Sequence, residues 1–160
     1  IEHHLASSRP VGIGTRTELR PVLDALWAVL RRVQTDRSLA LEVDLPPSCA
    51  FAGAREDLEE LLGNLLDNAC KWAATRIVVG ARRSGGRLRL CIDDDGPGLT
   101  QAQAMAVLAR GVRLDETAPG TGLGLGIVHR IALAYGGSLA LERAPLGGLR
   151  AILDLPAAPD

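Results

Sequence analysis

Residues 55–73 read REDLEELLGNLLDNACKWA, the longest stretch of the chain with regular apolar spacing. Its apolar residues recur every three to four positions, which predicts one amphipathic helix over roughly 55–73. Six side chains share a single arc of that helix: Leu58, Leu61, Leu62, Leu65, Leu66 and Ala69. An arc of this width must be buried, so the helix is expected to cover a sheet or a second helix.

Polar residues follow the flank of the same helix. Asn64, Asn68 and Lys71 fall within about 60° of one another when the residues are placed at 100° intervals. Amide oxygens suit Mg²⁺, which combines a few protein ligands with phosphate oxygens, and a lysine at the end of the row could meet a phosphate. The helix taken alone favours a second interpretation, in which all three are its solvated rim.

The segments before this helix alternate between strand and helix patterns. Residues 15–19, 39–45 and 49–51 are predicted as short strands. A helix is predicted from Pro21, which suits a first helical position, with Val22 to Val33 at helical spacing.

The segments after it form hairpins and two helices. Strands 75–82 and 87–93 flank Ser84-Gly85-Gly86, and strands 138–142 and 149–155 flank Gly147-Gly148. A short capped helix is predicted from Thr100 and another over 123–135, while 110–122 has no periodicity and is expected to be a long functional loop. The fold class is therefore α+β, with a mixed, mostly antiparallel sheet and helices on one face.

Composition limits the possible functions. The chain has 160 residues, 47% of them hydrophobic and 23% charged, with a net charge of -1, which fits one globular domain and disfavours direct nucleic-acid binding. No apolar run spans a membrane and no signal peptide is visible. Cys49, Cys70 and Cys91 make neither a disulfide framework nor a zinc motif, which favours a reducing cytoplasm. The chain begins at Ile1 and is expected to be cut from a longer protein.

An acidic run follows the strand at 87–93. In Asp93-Asp94-Asp95-Gly96-Pro97-Gly98, alternation points Asp93 and Asp95 to one face and Asp94 to the other. An aspartate at a strand end, with glycines that let a ligand approach the backbone, can accept a hydrogen bond from an amino group such as that of adenine. A turn with capping aspartates explains the run equally well.

A glycine-rich segment enters the helix at 123. Residues 120–126 read GTGLGLG, which leaves backbone N–H groups free at a helix N-terminus, where phosphate binds favourably. The spacing is not that of a Rossmann fingerprint, and no Lys-Ser/Thr pair follows as in a P-loop.

Together and in this order, the three segments resemble the N, G1 and G2 boxes of the histidine-kinase catalytic domain, a member of the GHKL superfamily of ATPases. The resemblance covers roughly residues 16–155, and the amino-acid sequence of the boxes is most similar to that of PhoQ-type sensor kinases. It implies a two-layer α/β sandwich, the Bergerat fold, with ATP between the N-box helix and the G2 helix under a lid.

The resemblance also implies roles for single residues. Asp95 would take the adenine amino group, with Gly96 and Gly98 beside it, and Trp72 would pack on adenine where the family usually has Tyr. Asn68 and Asn64 would hold Mg²⁺, Lys71 would reach phosphate, and Arg113 in the lid would contact the terminal phosphate. The remaining ATP-binding positions are in the G2 box: Gly120, Thr121, Gly122, Leu123, Gly124 and Leu125.

Some residues differ from those of related proteins at the same positions, and the differences affect the expected kinase or ATPase activity. Ala118 stands where similar lids carry a second Arg, and Thr121 where a polar amide often precedes the second G2 glycine. Asn64 stands where gyrase and Hsp90 place a water-activating Glu, and an amide is a poor general base, so phosphoryl transfer to a protein is better supported than fast hydrolysis.

The histidines do not supply a phosphoacceptor. His3 and His4 lack the context of the family's phospho-accepting His and resemble the tail of a dimerisation helix, and His129 lies early in the G2 helix. We therefore divide the chain into the end of a dimerisation helix with a linker (1–14), an ATP-binding domain (15–156) and a short tail (157–160).

The resemblance implies the wider function as well. The domain would bind Mg-ATP and transfer the γ-phosphoryl group to a His on the dimerisation domain of the same protein, for relay to a response regulator. It would be cytoplasmic and would reach the bacterial inner membrane only through the rest of the chain. Two rivals remain: another GHKL ATPase or Ser kinase, and a degenerate nucleotide-binding module.

Overall fold

A computed structural model describes residues 15–34, 37–112 and 123–159. These residues form seven strands and four helices. The strands are β1 (Thr17–Glu18), β2 (Ala40–Asp44), β3 (Ala50–Phe51), β4 (Arg76–Ser84), β5 (Arg87–Asp94), β6 (Ser138–Arg143) and β7 (Leu149–Pro156). The helices are α1 (Leu19–Val33), α2 (Arg55–Trp72), α3 (Gln101–Val112) and α4 (Leu123–Ala134).

Five strands make the main sheet, in the order β2-β4-β5-β7-β6. β2 runs parallel to β4, and every other neighbouring pair is antiparallel. β1 and β3 form a separate two-stranded sheet, which is joined to the end of β7 by a bridge between Phe51 and Ala157. The two hairpins predicted from Gly85-Gly86 and Gly147-Gly148 are both present, so the predicted mixed, mostly antiparallel sheet is confirmed.

The hydrophobic core lies between the main sheet and the helices. Alternate residues of the central strands are buried, as the period of two in a strand requires, and the predicted arc of α2 is buried against them. All six arc residues and their neighbour Cys70 are among the most buried of the described residues: Leu58, Leu61, Leu62, Leu65, Leu66, Ala69 and Cys70. α4 packs on α2 and on the β6–β7 edge, and α3 packs on α4. The two-layer fold class is thereby confirmed.

Two of the differences between observed and predicted element boundaries have a clear physical reason. α1 begins at Leu19, so Pro21 lies in its first turn rather than at its first position, where its missing N–H would have no partner within the helix in either case. α3 runs to Val112, so the first three residues of the predicted 110–122 loop are helical. The alanines of 102–106 are strong helix formers, and they carry the helix further than the weak apolar periodicity indicates.

The chain end is joined to the fold. The Ala157 N–H donates to Gly86 O at 2.8 Å and the Ala158 N–H to Ala50 O at 3.0 Å. Both residues are buried. Among the described helices, none is long and apolar enough to cross a membrane.

The α2 arc should carry much of the stability. Leu66 has no exposed surface, so Leu66→Ala is expected to lower the free energy of unfolding by about 2–5 kcal/mol through lost burial and a residual cavity. Leu133 is 54% exposed on α4, and Leu133→Ala is expected to change the same quantity by less than about 0.5 kcal/mol. Urea unfolding of the two variants checks this, and equal losses would contradict the packing described.

Candidate functional site

The flank of α2 that carries Asn64 faces the first turn of α4. The Asn64 side-chain Nδ2 donates to Glu60 O at 2.7 Å, which fixes the orientation of the amide. Its Oδ1 then points at Gly124, where a Cβ atom would lie only 2.9 Å from that oxygen. A side chain at position 124 would therefore displace the Asn64 amide.

Lys71 and Trp72 lie at the C-terminal end of the same helix. The Lys71 ammonium pairs with Asp67 at 3.2 Å, and both side chains are about half exposed (52% and 48%). Trp72 is 53% exposed, which leaves an indole surface open beside the G1 segment. The sequence-predicted row of Asn64, Asn68 and Lys71 thus lies along one flank of α2, partly or fully outside the core.

The C-terminus of α2 is capped from outside the helix. The Arg37 guanidinium donates to the carbonyl oxygens of Cys70 and Ala73, two of the last carbonyl groups, which have no partner within the helix. A cation at this end also opposes the negative end of the helix dipole. This contact fixes the backbone that carries Lys71 and Trp72.

Asp93, the first residue of the acidic run, is neutralised by the neighbouring strand. Arg150 on β7 donates two hydrogen bonds to its carboxylate, at 2.7 Å and 2.8 Å. Because the Asp93 side chain is only 9% exposed, this bidentate pair holds β5 and β7 together rather than facing a ligand.

Asp94, the last residue of β5, is almost fully buried, with 2% of its surface exposed. Its Oδ1 accepts hydrogen bonds from the N–H groups of Gly96 at 2.9 Å and Leu149 at 3.2 Å. Within the part of the chain that the structure describes, no group donates to its Oδ2. Burial raises the pKa of Asp94, the two backbone hydrogen bonds oppose that rise, and the charges of Asp95 and Asp93 add to it.

Space around Asp94 depends on Gly148. A Cβ atom at that position would lie 2.1 Å from the Asp94 Oδ1, so only glycine lets β7 begin there. The predicted site residue Gly98 lies in the same place, with a positive φ of 74° and a Cβ position 3.2 Å from Gly148 O.

Asp95 lies beyond the end of β5, so the alternation of a strand does not extend to it. Its carboxylate accepts from the N–H groups of Ala74 at 2.8 Å, Thr75 at 3.0 Å and Arg76 at 3.1 Å, and from the Thr75 hydroxyl at 2.7 Å. Desolvation alone would raise its pKa, but these hydrogen bonds outweigh it and hold the pKa well below the usual range. Both Asp95 oxygens are thus occupied within the protein.

The structure therefore gives Asp94 and Asp95 different surroundings from those that the sequence interpretation assumed. Asp95 ties the turn between α2 and β4 to the end of β5. Gly96 also packs closely against the end of α2, since a Cβ atom on it would lie 2.1 Å from Trp72 O. Asp94 keeps one oxygen without a donor in the described residues and is the better candidate for binding an amino group.

Part of the predicted G2 site lies outside the described residues. This applies to Arg113, Gly120, Thr121 and Gly122, as it does to Ala118 in the predicted lid and to His3 and His4. Leu123 begins α4, Gly124 contacts Asn64, and Leu125 is buried in the core at 2% exposure. His129 is half-buried on α4, and its Nδ1 has no hydrogen-bond partner in the described part of the chain.

The donor set of the α2 flank fits a magnesium ion that is shared with phosphate. Across residues 15–34, 37–112 and 123–159, no group of three or more His, Cys, Asp or Glu side chains could hold a metal. The oriented Asn64 Oδ1, with Asn68 one helical turn later, instead offers amide oxygens. Mg²⁺ commonly combines one or two such oxygens with waters and substrate phosphates.

Two of the cavities in the described structure bear on the location of the site. The larger, about 510 Å³, lies between the end of α1 and β2, away from the α2 flank and Asp94. The smaller, about 330 Å³, lies between the start of α3 and β6, and Leu99 and Leu149 line it. Cavity size alone would favour the larger one, but the hydrogen-bond geometry favours the region of Asp94, because Leu149 both lines the smaller cavity and donates to that carboxylate.

Sequence reasoning missed Asp94, Gly148, Arg37 and Tyr135. A partial signal for Asp94 was available, because it belongs to the acidic run, but the predicted strand ended at Asp93 and did not separate Asp94 from Asp95. No comparable signal exists for Arg37 or Gly148, which reach the site from 33 and 54 positions away in the chain.

Comparisons with known proteins identify the family. The family model of histidine kinase-, DNA gyrase B- and HSP90-like ATPases matches residues 53–159, and the chain belongs to this family. It is 55% identical to the sensor protein kinase CarS of Pseudomonas aeruginosa over 159 residues, which cover 98% of this chain and 36% of CarS. It is 35% identical to the virulence sensor histidine kinase PhoQ of Salmonella typhimurium over 150 residues, which cover 92% of this chain and 31% of PhoQ.

Solved structures show the same fold. The mycobacterial sensor histidine kinase MprB superposes with a TM-score of 0.77 at 29% identity, covering 91% of this chain and 99% of that one. The ATP binding domain of PrrB from Mycobacterium tuberculosis gives 0.74 at 27% identity, covering 91% and 98%. The predicted ATP-binding GHKL-type domain is thus confirmed. The chain spans about a third of the length of the curated relatives it matches.

Asp95 should contribute to stability in a pH-dependent way. Its folded-state pKa lies below the unfolded value of about 3.9, so its stabilisation is complete above that value and is lost as the pH falls through the folded-state pKa. Asp95→Asn is expected to lower the Tm by about 2–6 °C at pH 7, with a smaller difference from wild type below about pH 4. Asp24→Asn, on the exposed face of α1, is the control, and a loss equal to the control's would show that the Asp95 hydrogen bonds do not stabilise the fold.

Proposed function

We propose that this chain is the ATP-binding kinase domain of a two-component sensor histidine kinase. It binds Mg-ATP and transfers the γ-phosphoryl group to a histidine on a separate dimerisation domain, from which a response regulator takes it. The observation that carries this proposal is the Asp94 carboxylate, which has one oxygen held by two backbone N–H groups and the other without a donor in the described residues.

Asp94 is suited to recognise adenine. Its Oδ2 accepts from the 6-amino group, while the hydrogen bonds to Oδ1 keep the carboxylate from turning. Guanine carries an oxygen at the same position and would face the carboxylate with a second acceptor, so adenine is preferred. Trp72, half exposed beside Gly96, covers a face of the base.

The α2 flank is suited to bind the phosphates. Asn64 and Asn68 hold the magnesium ion, which neutralises phosphate charge when it is bound. Lys71 turns from Asp67 to a phosphate oxygen, a small change because a half-exposed ion pair of this kind contributes only about 0.3–0.5 kcal/mol. The backbone N–H groups of the first turn of α4 complete the cradle, and Arg113 is assigned to the terminal phosphate.

The reaction class follows from Asn64. An amide cannot take a proton from water, whereas transfer to histidine needs no water to be activated. A bond forms between an imidazole nitrogen and the γ-phosphorus as the bond to the ADP oxygen breaks. The domain contributes positioning and charge neutralisation, as in phosphoryl transfer generally.

The partners follow from the same proposal. The phosphoacceptor lies on the dimerisation domain of the full-length protein, and the response regulator acts after it. We place the domain in the cytoplasm, with membrane attachment through the part of the protein outside this chain.

Exchange of the two aspartates tests the adenine contact. With a non-hydrolysable ATP analogue and Mg²⁺ at about a hundred times Kd, the wild type should gain about 2.7 kcal/mol in stability. Asp94→Asn should lose most of that gain, because its amide can present an NH₂ to the adenine amino group, whereas Asp95→Asn should retain it. Thermal unfolding with and without ligand measures both. The reverse result would restore Asp95 as the adenine acceptor, and no gain in the wild type would favour a degenerate module.

The metal ligands are tested by magnesium titration. Affinity of the wild type for the ATP analogue should rise when Mg²⁺ replaces EDTA, and Asn68→Ala should abolish most of that rise. Glu59→Gln, on the exposed side of α2, should behave as the wild type. Titration calorimetry gives the affinities, and an undiminished magnesium effect in Asn68→Ala would exclude that residue as a ligand. Phosphate transfer to a supplied dimerisation domain then separates a kinase from an ATPase that only hydrolyses.

A further inference from the structure

Tyr135, directly after α4, joins the far ends of the two helices that form the proposed nucleotide cleft. Its hydroxyl donates to the Asp57 carboxylate in the first turn of α2 and accepts from the Ala54 N–H at 3.2 Å. Ala54 is the N-cap residue of α2 and has no side chain that could cap the helix. A tyrosine directly after α4 therefore completes the hydrogen bonds at the N-terminus of α2.

The arrangement is a capping box with an inserted hydroxyl. In the usual motif, the acidic residue at the third helical position accepts directly from the N–H of the N-cap residue. Here the hydroxyl lies between the two groups, so α2 is capped only when the end of α4 is in place. Burial and the hydrogen bond to Asp57 raise the pKa of Tyr135 to about 12, which keeps the hydroxyl protonated at neutral pH.

The ring of Tyr135 is also closely packed. It packs edge-on against Phe51, with ring centroids 4.8 Å apart. A Cβ atom on Gly53 would lie 2.6 Å from the Tyr135 ring and 2.4 Å from that of Phe51, so the loop before α2 closes tightly over both rings. The end of α4 has little freedom to shift relative to the start of α2.

This contact bears on the site through the geometry of the helix pair. Asp57 lies two turns before Asn64 on α2, and Tyr135 lies 11 residues after Gly124, about 16 Å along α4. The two helices thus meet at Tyr135–Asp57 and again where Asn64 Oδ1 contacts Gly124. Rotation of either helix about the first contact would open or close the second, where the metal and phosphates are proposed to bind.

We propose that Tyr135 is a positioning residue for nucleotide binding, which sets the gap between Asn64 and the first turn of α4 from the opposite end of the helix pair. This inference rests on the proposed function, since it concerns the same cleft. Tyr135 itself touches neither nucleotide nor metal.

The test separates positioning from stability with a second substitution. Tyr135→Phe removes only the hydroxyl and should lower both the Tm and the affinity for the magnesium complex of a non-hydrolysable ATP analogue, the affinity by about fivefold. Ala54→Ser gives α2 a cap of its own, and serine is among the preferred residues at this position. The double variant Tyr135→Phe/Ala54→Ser should therefore regain most of the lost Tm. It should not regain the affinity, because the end of α4 still lacks its hydrogen bonds to the start of α2.

The measurements are thermal unfolding and titration calorimetry on the 160-residue chain, with Ala54→Ser alone as the control that should bind as the wild type. If the double variant regains affinity together with Tm, Tyr135 only stabilises α2 and the inference is overturned. It is also overturned if Tyr135→Phe binds as the wild type does. Absence of binding by the wild type is a separate outcome, which would remove the proposed function and this inference with it.

Discussion

Three consecutive carboxylates at the end of β5 restrict how β7 and the turn after α2 can pack against this strand. Adjacent negative charges repel and raise one another's pKa, so the run is stable only if each member finds a different partner. Arg150 neutralises Asp93, backbone N–H groups hold Asp94, and the turn after α2 surrounds Asp95. These partners come from β7 and from the α2–β4 turn, so satisfying the charges brings both to the end of β5.

The three aspartates differ in how many of their carboxylate oxygens accept hydrogen bonds from the described residues. The carboxylates of Asp93 and Asp95 have donors on both oxygens, and they hold elements together. Asp94 has a buried and oriented carboxylate with donors on one oxygen only among the described residues. A ligand that donates a hydrogen bond to the Asp94 Oδ2 meets an acceptor that the described residues leave without a donor. The same reasoning favours Asp94 over Asp95 as the recognition group of the proposed site, although they are neighbours of the same type.

α2 is held at both ends by residues of other elements. Arg37 caps its C-terminus, and Tyr135 with Asp57 completes its N-terminus. A helix whose own sequence supplies no cap depends on its surroundings for its position. This links the placement of Asn64, Asn68 and Lys71 to α4 and to the segment after α1, which is the basis for the positioning role proposed for Tyr135.

Much of the architecture could be predicted from the sequence, because it follows from local periodicity. The six-residue arc of α2 placed that helix within one residue of its observed end, and paired glycines located both hairpins. The α2 flank also followed from helical geometry, and the order of the three motifs indicated the family.

The choice between Asp94 and Asp95 could not be made in this way. It depends on donors at residues 74–76 and 149, which are distant in sequence and meet only when the sheet is assembled. Arg37 and Tyr135 are invisible to pattern reasoning for the same reason, since their partners lie 33 and 78 residues away. The elements and the family follow from the sequence, since periodicity and motif order are properties of neighbouring residues. Which carboxylate oxygens already have donors follows from the fold alone, because hydrogen bonds between distant segments form only in the folded chain.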